Sequence, residues 1–132
     1  MYLLDTNICI YLIKKRPKKV LDRLLACSPE EVALSVVTLS ELSYGVSKSK
    51  AQARNRAALE LFLAPFQVLP YSVDAALAYG DMRAALERKG TPIGPMDLMI
   101  AAHAVALRAT LVSNNIREFR RVPGLTLENW AR

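Results

Sequence analysis

Three acidic residues stand apart from the other acids of the chain because each lies in an apolar setting. Asp5 follows the apolar run Tyr2–Leu4, Glu41 lies in the apolar segment after a valine-rich run, and Asp97 follows a loop of two prolines and a glycine. Carboxylate oxygens suit Mg²⁺ or Mn²⁺, which proteins hold with a few carboxylates, water and phosphate oxygens. Clustered acids of this kind are costly to bury unless a cation or a proton neutralises them.

Each of these acids also has a purely structural explanation. Asp5 suits the N-cap of a helix, where its side chain accepts from the first free N–H groups. The spacing from Thr38 to Glu41 matches a capping box, and Asp97 falls in a first helical turn, where the helix dipole favours negative charge. Taken singly, these explanations are at least as good as a catalytic one. The functional hypothesis therefore depends on whether the fold brings the three acids together.

The elements that would position the acids alternate between short apolar runs and amphipathic segments. The pattern predicts an α/β fold with a mostly parallel sheet and helices on both faces, as a single domain over residues 1–132. In such a sheet the strands end at one edge, where ligands bind. The predicted strands are 2–4, 32–37, 66–69, 110–112 and 125–127, and the predicted helices are 6–13, one after Pro17, 38–46, 51–63, 73–89, 96–107 and 116–121.

Composition indicates a globular protein with a basic surface. The 132 residues carry a net charge of +6, which suits a polyanionic partner. No secretory signal and no membrane-length apolar stretch is present, so we expect a cytoplasmic protein without a membrane partner. Cys9 and Cys27 have no metal-ligand spacing and are interpreted as reduced core residues. The positive charges form three clusters, at residues 14–23, 48–56 and 117–121.

Other routes to phosphodiester cleavage lack the residues they need. A metal-free ribonuclease uses a general acid and a general base, usually histidines, and this chain has only His103, which we interpret as a structural residue. No glycine-rich phosphate loop is present, and no Ser or Cys nucleophile has an evident histidine partner. Attack on a phosphodiester by water that a divalent metal activates is the chemistry that remains.

Four blocks of the chain stand out in this order: Leu4-Asp5-Thr6-Asn7, Ser35 to Gly45, Pro92 to Ala104 and Leu111 to Phe119. Together they resemble the PIN-domain ribonucleases and, more closely, the VapC toxins of bacterial type II toxin–antitoxin systems. The resemblance implies a three-layer PIN-like fold with a five-stranded sheet in the order 3-2-1-4-5, and a Mg²⁺-dependent endoribonuclease in which Mn²⁺ can substitute.

The resemblance also implies roles for individual residues. Asp5 and Asp97 would bind the metal, and Glu41 would bind it through water or help to orient and deprotonate the nucleophile. A fourth family acid would fall at Asn115, where a neutral amide stands instead, and this favours one firmly bound Mg²⁺. Asn115 and Ser113 would position water or phosphate. Thr6 and Asn7 would support the metal ligands.

The family's products and partners are further expectations. The product would carry a 5′-phosphate and a 3′-hydroxyl, and the substrate would be structured RNA, typically tRNA cut in the anticodon region. The toxin would form a homodimer and would be neutralised by a VapB-type antitoxin, reaching operator DNA only through the antitoxin complex. Apolar surface for these contacts is expected on the helices at 39–46 and 51–63.

Two other functions also place an acid after the first strand. A phosphotransfer protein of the haloacid-dehalogenase or response-regulator kind would need a second Asp at Asn7, or a paired acid with a distinct phosphorylated Asp, and neither is present. A catalytically weakened RNA- or antitoxin-binding PIN module is conceivable because of Asn115. Metal-dependent RNA cleavage separates the three functions.

Overall fold

Five short strands and seven helices alternate along the chain in a computed structural model that describes residues 1–132. The strands are β1 (Tyr2–Leu4), β2 (Val32–Ser35), β3 (Gln67–Leu69), β4 (Thr110–Val112) and β5 (Thr126–Glu128). The helices are α1 (Thr6–Lys14), α2 (Lys18–Leu25), α3 (Val36–Ser47), α4 (Gln52–Leu63), α5 (Val73–Arg88), α6 (Pro95–Leu107) and α7 (Ile116–Phe119), and a 3₁₀ turn covers Pro29–Glu31.

All five strands are parallel and lie in the order β3-β2-β1-β4-β5. The α/β class, the parallel sheet and the strand order 3-2-1-4-5 are therefore confirmed. This order differs from the 2-1-3-4-5 order of response regulators, which removes that phosphotransfer alternative. Leu4 of β1 pairs with Leu34 on one side and Val112 on the other. The residues that follow, Ser35, Asp5 and Ser113, thus stand side by side at one edge of the sheet.

Alternate residues of the central strands pack into two separate apolar cores, one on each face of the sheet. Leu3 and Leu111 join the core formed with α5 and α6, whereas Leu4 and Val112 join the core formed with α1, α3 and α4. Burial on both faces explains why these strands are apolar throughout rather than alternating. The two cores fix the helices that carry the acids against the same sheet edge.

The boundary between β2 and α3 differs from the prediction. The strand ends at Ser35 and the helix begins at Val36, because the Ser35 hydroxyl accepts a hydrogen bond from the Val37 N–H at 3.1 Å and caps the helix. The predicted strand over 32–37 was therefore too long, and the capping box from Thr38 to Glu41 was wrong. The Thr38 hydroxyl is buried without a partner. Glu41 is left free for another role.

Other elements agree with the prediction to within a few residues, and β4 agrees at both ends. Cys9 is buried and Cys27 half-buried, and both are free thiols. None of the helices combines the length and apolar character that crossing a membrane would need. His103 is buried in α6, as a structural histidine would be.

Candidate active site

Asp5 lies at the centre of the sheet edge where the acids meet. Its N–H donates to the Val112 carbonyl at 3.0 Å, and its side chain accepts from the Ile8 N–H at 2.9 Å, so it does cap α1. Only 4% of Asp5 is exposed. This burial raises its pKa to about 6, although hydrogen bonds from the Ser113 hydroxyl and the Ile8 N–H oppose the rise. The nearby charges of Asp97 and Glu41 raise the pKa further.

Asp97 occupies the first turn of α6 and faces the same site. Burial raises its pKa to about 6, and the negative charges of Glu118 and Glu41 and a hydrogen bond with Glu118 act in the same direction. Asp97 and Glu118 therefore lie close together with no basic residue between them.

Glu118 is a site residue that the sequence analysis missed. It lies in α7, three residues after Asn115, and its Oε2 accepts from the Asn115 amide nitrogen at 2.8 Å. The family position at Asn115 thus lacks a carboxylate, but the next helical turn supplies one. The helical spacing of three residues was the signal that could have revealed it, since i and i+3 side chains share a helix face.

Glu41 is held in the site by α1. The Thr6 hydroxyl donates to Glu41 Oε1, across 35 residues of sequence. Thr6 immediately follows Asp5, so this contact ties α3 to the start of α1. The Thr6 hydroxyl thus orients one Glu41 oxygen, and its role in supporting the metal ligands stays a prediction.

The loop after β4 adds polar groups on the other side of Asp5. The Ser113 hydroxyl accepts from the Asn115 N–H at 2.9 Å, and its own proton is directed to Asp5. Asn115 in turn donates to Glu118, so this loop links two carboxyl groups of the site. Asn114 donates to the Tyr11 hydroxyl at 2.6 Å. By contrast, the Asn7 side chain is exposed on α1 and makes no hydrogen bond to the site, so its supporting role stays a prediction.

No lysine or arginine neutralises this group of acids. The ion pairs of the protein are Lys18–Asp22, Arg23–Glu128 and Arg83–Glu87, all on the surface. Four carboxyl groups therefore meet at one sheet edge with only hydrogen bonds to balance them. A divalent cation would remove this imbalance, because hard oxygen ligands are what Mg²⁺ and Mn²⁺ prefer.

The carboxylate oxygens are suitable ligands for such a cation, although the side chains do not surround a single position. No three acidic, histidine or cysteine side chains yet converge closely enough to enclose an ion. Binding would have to draw the carboxylates inward. Such ligands must be deprotonated to bind metal, which the raised pKa values of Asp5 and Asp97 permit at neutral pH.

Replacing Glu118 with Gln is expected to weaken divalent-metal binding by about 10- to 100-fold, as loss of a supporting carboxylate commonly does. The amide keeps the size of the side chain but removes its charge beside Asp97. Calorimetric titration with Mn²⁺ measures the effect, and Glu60→Gln on the exposed face of α4 is the matched control. An unchanged affinity in Glu118→Gln would remove Glu118 from the site.

The chain is similar to a known domain family and to known ribonucleases along nearly its whole length. The PIN domain family model matches residues 2–125. "Ribonuclease VapC2" of Rickettsia felis is 47% identical over 131 residues, covering 98% of both chains. The "tRNA(fMet)-specific endonuclease VapC" of Salmonella typhimurium is 45% identical over 129 residues, covering 98% of this chain and 97% of that protein.

Solved structures give the same result. The fold matches that of VapBC2 from Rickettsia felis bound to a promoter DNA fragment, with a TM-score of 0.93, 46% identity and 98% of both chains covered. It also matches the DNA-bound VapBC of Salmonella typhimurium, with a TM-score of 0.92, 45% identity and coverage of 98% of this chain and 97% of that chain. With its strand order, its acids at one sheet edge and these likenesses along nearly its whole length, the chain belongs to the PIN-domain family and, within it, to the VapC ribonucleases.

Proposed function

We propose that this protein is the toxin of a type II toxin–antitoxin system and a Mg²⁺-dependent endoribonuclease. The observation that carries the proposal is the meeting of Asp5, Glu41, Asp97 and Glu118 at one sheet edge without a basic partner. When bound, a divalent cation would offset their charge, lower the pKa of water and stabilise negative charge on the phosphate.

The residues of the chain would divide the work as follows. Asp5 and Asp97 would hold the cation, and the carboxylate of Glu118 would add a further negative charge beside Asp97. Glu41 has one oxygen fixed by Thr6, so its other oxygen is positioned to accept a proton from the attacking water. Attack by water with the 3′ oxygen as the leaving group would produce a 5′-phosphate and a 3′-hydroxyl, and it would form no cyclic phosphate because the ribose 2′-hydroxyl takes no part.

The loop after β4 would orient the substrate and its surroundings. The Ser113 hydroxyl donates to Asp5, and Asn115 bridges the Ser113 hydroxyl and Glu118. Ser113 and Asn115 therefore both face the site and each contacts one of its carboxylates. We therefore assign Ser113 and Asn115 to orienting water or phosphate next to the metal ligands. Asn115 does this without adding charge, and the fourth carboxylate of the site comes from Glu118 instead.

The RNA substrate would be guided to the site by the basic clusters. Helix α1 begins at the site and ends, roughly 13 Å away, at the exposed positive residues of the first cluster. Exposed Arg117 stands next to Glu118 on the opposite side. Phosphate contacts of this kind position RNA without reading sequence. We propose tRNA as the substrate class, which the name of the Salmonella typhimurium relative supports, and the anticodon region as the place of the cut, which the family resemblance implies.

The partner would be a VapB-type antitoxin that occupies a groove beside the site. This groove, about 290 Å³ in volume, lies between α1, α3 and α4, and Glu41 forms one end of it. The apolar lining suits an amphipathic helix or an apolar tail, and occupation next to Glu41 would exclude RNA. The residues that line the groove are Ile10, Ile13, Lys14, Glu41, Leu42, Gly45, Val46, Asn55, Ala58 and Leu59. Operator DNA would be bound only through the complex of toxin and antitoxin.

The homodimer would use a different surface. Exposed Val73 and Leu77, one turn apart on α5, are apolar surface available for it.

Placing a charge in this groove is expected to release the toxin from its antitoxin. Ala58 is exposed in the groove lining, so Ala58→Arg should weaken antitoxin binding by about 100-fold while leaving RNA cleavage intact. Binding of the purified antitoxin, measured by calorimetry, checks this, with Ala57→Arg on exposed α4 surface outside the groove as control. Equal losses in both variants would place the antitoxin elsewhere.

The function is tested by inducing the chain in cells. Growth should stop, RNA fragments with 5′-phosphates should accumulate, and mapping of their ends should place the cuts in tRNA anticodon regions. Coexpression of the protein encoded next to this toxin should restore growth. Asp97→Asn should be harmless at equal protein level. Growth arrest by Asp97→Asn, or arrest without cut RNA, would contradict the proposal.

A further inference from the structure

A buried histidine joins the two helices that bring Glu41 and Asp97 to the site. His103 lies in α6 and is 1% exposed, and its Nδ1 lies 2.8 Å from the hydroxyl oxygen of Ser35, which is fully buried. Ser35 is the N-cap of α3. The contact therefore spans 68 residues of sequence and connects the cap of the Glu41 helix to the Asp97 helix.

The surroundings fix the direction of this hydrogen bond. The backbone of Pro70, which has a carbonyl but no N–H, bonds to the histidine, so the ring nitrogen that faces it must carry the proton. Burial lowers the pKa of His103, which keeps the ring neutral. Because Nδ1 faces Ser35, we assign the proton to Nε2, and in a neutral ring Nδ1 is then an acceptor. Ser35 therefore donates to His103 while accepting from the Val37 N–H. Tyr71 packs edge-on against the ring, with centroids 5.1 Å apart.

Other hydrogen bonds connect the elements around the site. The Thr6 hydroxyl, next to Asp5, holds Glu41 on α3, and Glu118 lies beside Asp97 of α6. Ser113 and Asn115 connect Asp5 to Glu118. Val37 of α3 also packs in the same apolar core as α6, and the hydrogen bond between the cap of α3 and α6 is the one from Ser35 to His103, which lies in the protein interior rather than at the acids themselves.

We propose that His103, through its hydrogen bond with Ser35, is a positioning residue that sets the spacing between Glu41 and Asp97 for metal binding. This inference rests on the proposed function of the acids as a metal site. His103 touches neither substrate nor metal in this account. It acts by holding α6 against the capped end of α3, and an error of about 1 Å in such a site costs on the order of 100-fold in rate.

Three variants separate positioning from simple stabilisation. His103→Phe keeps the ring and the packing on Tyr71 but removes the acceptor. His103→Asn places an amide oxygen near the position of Nδ1 and restores an acceptor for Ser35. Ser35→Ala removes the donor, and Ser72→Ala is its control, because the Ser72 side chain caps α5 by accepting from the Ala75 N–H at 3.0 Å away from the acids. Leu86→Ala, in the core against α6, controls for lost stability alone.

The measurements are Mn²⁺ affinity by calorimetry without RNA, kcat and KM for RNA cleavage, and the melting temperature. His103→Phe and Ser35→Ala should each weaken Mn²⁺ binding roughly 10-fold and lower kcat roughly 100-fold with KM for RNA unchanged. The double variant should be no worse than either single one, and His103→Asn should recover most of the loss. Leu86→Ala and Ser72→Ala should lower the melting temperature and leave Mn²⁺ affinity unchanged.

Wild-type Mn²⁺ affinity and kcat in folded His103→Phe or Ser35→Ala would overturn the proposal. So would losses that match those of the two control variants. If His103→Phe did not fold, Ser35→Ala compared with Ser72→Ala would decide by the same criteria. Failure of the proposed function is distinguishable, since the wild-type protein itself would then bind no Mn²⁺.

Discussion

Replacing Asp5 with Asn is expected to abolish RNA cleavage and, at the same time, to make the metal-free protein more stable. Asn removes a metal ligand, and we expect kcat to fall roughly 1000-fold or more. Asn is as good an N-cap as Asp, so the hydrogen bond from the Ile8 N–H is retained. What is lost in the metal-free protein is an unfavourable buried charge near Asp97 and Glu41.

The gain in stability follows from the pKa of Asp5. Burial raises this pKa from 3.8 to about 6, so ionising Asp5 at neutral pH costs the folded state up to roughly 3 kcal/mol relative to the unfolded chain. Burying the polar amide of the Asp5→Asn variant also costs free energy, so the gain is smaller than the cost of ionising Asp5. We therefore expect the free energy of unfolding to rise by about 1 to 2 kcal/mol. Asp5→Ala should show less gain, since loss of the cap costs about 1 kcal/mol.

Thermal unfolding in EDTA measures this effect at pH 7.5. Asp81→Asn, at an exposed position of α5, is the matched control and should change neither stability nor cleavage. A lower melting temperature for Asp5→Asn would show that Asp5 is a structural cap and not a strained ligand. Residual cleavage near the wild-type rate would show that it is no ligand at all.

Metal binding is expected to weaken steeply as the pH falls below about 6. Asp5 and Asp97 both have pKa values raised to about 6, and each must lose a proton to bind metal. Each group therefore contributes up to a tenfold loss of affinity per pH unit below its pKa, and the two together up to about 100-fold. Carboxyl groups at the ordinary value of 3.8 would leave the affinity constant down to about pH 5.

The stability of the metal-free protein should respond to pH in the opposite direction. Both pKa values are higher in the folded than in the unfolded chain, so these groups contribute stability that is fully present below pH 3.8 and is lost as the pH rises through about 6. The difference in melting temperature between Asp5→Asn and the wild type should therefore shrink from pH 7.5 to pH 4.5. Mn²⁺ titrations between pH 5 and pH 8 test the first trend, and a flat affinity would contradict it.

The fold was predictable from sequence because its strands are apolar on both faces and its helices are amphipathic. The boundary of β2 was not, because Val36 and Val37 continue the valine pattern of the strand. What ends the strand is the side chain of Ser35 capping the next helix, and this competes with β propensity only once tertiary packing is present. The sequence pattern alone therefore does not show whether the β propensity of the valines or the helix cap at Ser35 prevails.

The site was predictable for the acids that follow strands or rigid loops, and less so for those presented by helix faces. Glu118 sits in a short segment among arginines and resembles an ordinary surface acid, and only the fold brings it to Asp97. Asn7 shows the reverse case, since its motif position predicted support and its side chain is exposed. The part played by His103 depends on a contact with Ser35 that no sequence spacing reveals.

The most direct test of a metal-dependent nuclease centre is RNA cleavage by the purified protein as free Mg²⁺ is titrated, with the 5′ ends of the products identified. We predict no cleavage in excess EDTA, saturable recovery on adding Mg²⁺ or Mn²⁺, and products with 5′-phosphates. The Asp97→Asn protein should remain inactive at every Mg²⁺ concentration. Full cleavage in EDTA, or products ending in 5′-hydroxyls, would contradict the account.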